Sequence, residues 1–129
     1  MSIAGIHNIT SVTFTDQAGD GVVGIMRAPW GGATVKAAYA FPELTVSAST
    51  ANHYNLVLQN GGAVGTSTTA IGTAGGTAGL TAITAETFTL NTSADELASG
   101  EWLKVVYDET GTVAPGEITI CVEWVNGQG

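Results

Sequence analysis

Apolar and polar side chains alternate one for one along most of this chain, and no stretch carries apolar residues at the three-and-four spacing of a helix face. A period of two puts successive side chains on opposite faces of an extended strand, so each such run has one dry face and one wet face. Val12 and Phe14 alternate with Ser11, Thr13 and Thr15, and Val35, Ala37, Tyr39 and Phe41 with Thr34, Lys36, Ala38 and Ala40. Leu44, Val46 and Ala48 stand opposite Thr45 and Ser47, and Tyr54, Leu56 and Leu58 point away from Asn55 and Gln59. Phe88 and Leu90 continue the pattern among Thr87, Thr89 and Asn91.

The C-terminal third is the most regular. Leu103, Val105 and Tyr107 share one face, and Ile118, Ile120, Val122 and Trp124 share one face of the next strand, with Glu117, Thr119 and Glu123 outward. Asp108 to Thr112 and Pro115-Gly116 supply turn chemistry between them, which predicts a hairpin. Asp95 and Glu96 after Ser93 predict one helical turn capped by the serine and ended at Gly100.

Two stretches break the rhythm. Ala28-Pro29-Trp30-Gly31-Gly32 cannot continue a strand, because proline has no ladder donor, yet it displays a tryptophan. From Gly61 to Ala85, Thr-Ala recurs every four residues with glycines between, and too few large apolar groups are present to offset the entropy of ordering. A long loop or arm is expected there, with a short strand near Leu80 to Thr84. Residues 1–7 form a candidate N-terminal arm.

Short strands punctuated by turns, without helical crossovers, predict an all-β fold: one antiparallel β-sandwich domain over residues 1–129, jelly-roll-like, with about eight strands. An immunoglobulin-like strand order is the competing topology.

Charge narrows the partners. The formal net charge is −8, and the only bases are Arg27, Lys36 and Lys104. Phosphate backbones bind through clustered Lys and Arg, so nucleic acid is not expected, and the same Coulomb argument disfavours an anionic membrane. Charged residues make up only 11% of the chain. A surface of threonine, serine, glycine and alanine offers little protection against edge-to-edge association, which favours a homo-oligomer.

No constellation for catalysis emerges, so no enzyme is expected. Asp16, Asp20, Asp95, Glu96, Asp108 and Glu109 fall in turns, where such residues serve backbone hydrogen bonding. The Asp16 to Gly21 loop lacks the alternating oxygens and closing glutamate of a calcium loop. His7 and His53 are far apart and match no zinc spacing, and Cys121 is the only cysteine. The glycines from Gly72 to Gly76 lack the lysine and helix of a phosphate cradle. Neither cofactor nor metal is expected. No basic, apolar and small-residue order marks a secretion signal.

Aromatic residues are the remaining handles. Trp124 follows the inward alternation; Trp102 lies opposite Leu103 and Val105, and Trp30 sits in the Pro/Gly loop. Trp30 and Trp102, with His53 at the mouth of an apolar strand, are the candidate partner-interface residues, since tryptophan anchors protein contacts and stacks on sugars.

The run Asn52 to Gly62, the Thr-Ala-Gly tract, Leu97 to Gly111 and Gly116 to Ile120 together resemble the small virion proteins of tailed bacteriophages, more narrowly the capsid decoration or cement proteins. The resemblance extends from about Asn52 to Gly127 and lies in texture, without a residue motif to carry over. It implies a β-sandwich on the capsid exterior, often a trimer at three-fold positions, assembled in the host cytoplasm and clamping the major capsid protein. A fibre or host-recognition module that binds a surface glycan is the alternative.

Overall fold

The computed structural model describes residues 7–15 and 19–127. Ten strands follow in order: β1 (Asn8–Phe14), β2 (Gly21–Arg27), β3 (Ala33–Pro42), β4 (His53–Gly62), β5 (Thr69–Gly75), β6 (Glu86–Thr87), β7 (Thr89–Leu90), β8 (Glu96–Leu97), β9 (Trp102–Thr110) and β10 (Ile118–Asn126). One sheet runs β1-β10-β3-β6, with β8 also on β3; the other runs β2-β9-β4-β5-β7. Every pairing is antiparallel. The sandwich is as expected, with ten strands in place of about eight because β6, β7 and β8 are two-residue pieces.

The dry faces of the longest strands meet between the sheets. Tyr54, Leu56 and Leu58 of β4 and Leu103, Val105 and Tyr107 of β9 oppose Ile118, Ile120 and Val122 of β10, all essentially inaccessible to water. Burying a side chain of this size stabilises the fold by about 1.5–3 kcal/mol, so these three strands hold the two sheets together. Trp124, at the end of the same face, is only half buried and donates from Nε1 to Thr10 Oγ1 at 3.1 Å.

Five expectations need correction. On β3 Ala33, Thr34 and Val35 are buried, then Ala38, Ala40 and Pro42, while Phe41 faces water. Trp124 pairs with Val35 and Glu123 with Ala37, leaving Lys36 as an extra residue in the ladder. Such a bulge reverses the inward phase beyond it. Second, β9 and β10 form no hairpin: they lie in different sheets, and 111–117 crosses between them. Third, Leu44 to Ala48 is no strand, because only Val46 bridges, to Leu80, and Leu44 is exposed.

Fourth, the 61–85 tract is not one long loop. Its middle is β5, laid against β4 from Asn60↔Thr69 to Asn55↔Gly75, with Ile71 wholly buried. Smallness does the work that bulk does elsewhere. A Cβ on Gly72 would meet Leu90 Cδ2 at 2.8 Å and the Thr89 carbonyl at 3.0 Å, so glycine lets β7 close on β5. Fifth, no helical turn forms at Ser93. Asn91 Oδ1 accepts from the Ser93 amide at 3.2 Å, and Glu96–Leu97 pair with β3. Of the proposed arm, residues 1–6 lie outside the described residues, as does Asp16.

Candidate functional site

The structure divides the three candidate interface residues. β4 and β9 pair from His53↔Thr110 to Gly62↔Trp102, so His53 lies a full strand from Trp102, about 30 Å at the rise of a β-strand. His53 opens β4 half buried, with Nδ1 buried and unpartnered. Trp30 and Trp102, by contrast, lie at the same end of the sandwich.

That end is built by three connections. Arg27 pairs with Trp102 at the end of β2, and the chain then turns through Pro29, Trp30 and Gly31. The Gly32 amide donates to the Pro29 carbonyl at 2.9 Å, and Gly31 has φ of +88°, the value a type II turn demands at its third residue. Trp30 therefore stands at the crest of a closed turn and is 94% exposed. Trp102 is 38% exposed, and Val64, in the connection after Gly62, is 80% exposed. Sequence reasoning passed over Val64; its signal was a lone large apolar residue set in Gly61-Gly62-Ala63-Val64-Gly65.

Beneath these side chains the backbone is tied down. The Ala28 amide donates to the Glu101 carbonyl at 2.7 Å, and the Gly100 amide to the Ala28 carbonyl at 3.0 Å. Lys104 Nζ donates to the Gly65 carbonyl at 2.7 Å, and Glu101 Oε1 accepts from Ala98 N and Asn60 Nδ2. Backbone fixed in this way loses little freedom when a partner covers it.

Charge is distributed unequally between the two ends. Arg27, Lys36 and Lys104 lie in the tryptophan half, where Asp95, Glu96 and Glu101 balance them. The other end carries Asp20, Glu43, Asp108, Glu109 and Glu117, with no Lys or Arg among the described residues. A second exposed apolar group, Phe41, Leu44 and Ile83, borders that acidic end. Glu123 lies on the outer face of the first sheet beside His7, 3.9 Å away. Its hydrogen bond and its charge hold the Tyr39 phenol above the ordinary range.

Among the described residues, no group of three or more His, Cys, Asp or Glu is placed to hold a metal ion. The half-buried Cys121 is a free thiol. A shallow hollow of about 330 Å³ beside Val46, Ser49, Asn52 and Val113 has no titratable side chain in its wall. No helix among the described residues is long and apolar enough to cross a membrane. No family model, no curated protein and no solved structure matches this chain.

Proposed function

We propose that this chain is a structural virion protein that acts through contact and not catalysis, docking its tryptophan end on the outside of a phage capsid. The observation that carries the reading is the indole of Trp30, 94% exposed on a closed turn, with Trp102 and Val64 exposed at the same end of the sandwich. Large apolar groups held out in water cost hydration free energy until a partner covers them, and tryptophan is the residue most often found at the energetic centre of such contacts. The resemblance of residues 52–127 to decoration proteins supplies the partner, the major capsid protein. The acidic end then faces outward, where like charge keeps neighbouring particles apart.

We read the sandwich as a jelly roll. Nested pairing supports this: β1 with β10, β2 with β9, β3 with β6 and β4 with β5, as a long folded hairpin rolled into two sheets would pair.

Adding the purified chain to capsids that lack it tests the reading. Wild-type protein saturates the shell and raises its disruption temperature. Trp30→Ala weakens binding about 30-fold, the loss expected for truncating a central tryptophan worth about 2 kcal/mol. Absence of binding, or binding indifferent to Trp30, rejects it. Tryptophan also stacks on sugar rings, so a glycan array separates this reading from host recognition: the decoration protein leaves every glycan unbound.

A further inference from the structure

The four sheet edges are not alike. On one side of the sandwich the outer strands β6, β8 and β7 are two residues long. On the other side β2 shifts register between Gly24 and Met26 and ends on Arg27. Short strands, bulges and terminal charges are the devices by which proteins keep sheet edges from pairing. β1 has none of them. It matches β10 at seven consecutive positions without a shift, from Asn8↔Trp124 to Phe14↔Ile118. It contains no charge, proline or glycine. Its outward side chains are Ile9, 66% exposed, and the exposed Ser11 and Thr13. Alternate backbone N–H and C=O groups along its outer side lack a ladder partner among the described residues.

We infer that β1 is a self-association edge, pairing antiparallel with β1 of a second copy so that the first sheet continues through both molecules. The occupant follows from charge and symmetry. Two copies each carrying −8 repel through most of their surface, above all at the acidic end, whereas β1 brings no charge against its own image. Centred on Ser11, antiparallel pairing sets Ser11 against Ser11 and Ile9 against Thr13 on the outer face. These are hydroxyl and β-branched neighbours of the kind that stabilise strand pairs. A contact of one strand with itself is two-fold and closes at two copies, unlike the three-fold arrangement that the decoration-protein resemblance implies.

The inference is independent of capsid binding: a dimer that ignores capsids leaves it standing, and a monomer that binds them overturns it. Sedimentation of the full chain reads the mass. Wild type is expected as a dimer. Ser11→Lys and Ser11→Glu each give monomers, because the substituted residue faces its own copy, and an equimolar mixture of the two recovers the dimer. Ser11 is exposed, so both variants stay folded, with a melting temperature that no longer rises with protein concentration; if either unfolds, Ile9→Lys/Thr13→Lys mixed with Ile9→Glu/Thr13→Glu makes the same test one pair removed. A wild-type monomer at every concentration, a trimer or dimer unaffected by these substitutions, or a mixture that stays monomeric overturns the inference. Monomers that pair only with a capsid strand do so as well.

Discussion

Tyr54 and Tyr107 stack inside the sandwich with ring centroids 5.1 Å apart, yet removing their hydroxyls is expected to move stability in opposite directions. The Tyr107 hydroxyl donates to Glu109 Oε1 at 2.7 Å. That of Tyr54 is buried without a partner. On folding, Tyr54 gives up its hydration for nothing, so Tyr54→Phe stabilises the protein by about 1–2 kcal/mol. Tyr107→Phe deletes a bond to a carboxylate and costs about 1–2 kcal/mol. Both rings remain, so no cavity opens. At about 4 °C per kcal/mol for a domain of this size, Tm rises by about 4–8 °C in the first variant and falls by as much in the second. Urea midpoints at unchanged slope, with calorimetry, check both.

Alkaline pH gives an independent reading of the same pair. Burial raises the Tyr54 phenol, assisted by Glu86, and raises Tyr107, where the Glu109 hydrogen bond adds to the effect. A folded-state pKa above the unfolded value means that the stabilising contribution is complete below about pH 10 and is lost as pH rises beyond it. Tyr54→Phe removes its part of that loss, so its advantage over wild type widens above pH 10. A destabilised Tyr54→Phe, or an advantage that shrinks with rising pH, would refute the reasoning.

Two further substitutions probe the backbone. Ile83 is a β-branched residue at φ of +55° and largely exposed, so Ile83→Gly removes strain with little loss of packing and raises stability by about 1 kcal/mol in urea unfolding. Gly72→Ala forces a methyl against Leu90 and the Thr89 carbonyl and costs about 1–3 kcal/mol. It also speeds amide exchange at Asn91, whose N–H reaches the Ile71 carbonyl.

What could be read from sequence depended on whether bulk or smallness made the structure. Leu56, Leu58, Val105, Ile118 and Ile120 lie inward as their alternation requires, because large apolar groups on a strict period of two admit one face only. The 61–85 tract misled because glycine in a strand weakens it in isolation but permits close approach when a neighbour is present, a tertiary condition absent from local composition. Lys36 hid the bulge that hands the inner face of β3 to alanines. The turn chemistry read at 108–116, of which 108–110 instead extend β9, announced a reversal without saying which sheet receives the next strand. At the candidate site, the exposure of Trp30 and Trp102 was legible from the Pro/Gly loop and the outward phase. Their shared end, the separation of His53 and the place of Val64 follow from register, which no local pattern encodes.

The claim beneath the functional account is that one end of the sandwich docks and the other faces solvent. Amide exchange of the chain bound to capsids, compared with the free chain, reads this directly. Protection centred on 28–32, 62–66 and 100–103, with 43–52 and 111–117 unchanged, is the predicted footprint. Protection at the acidic end, or none at the turn that carries Trp30, would contradict it.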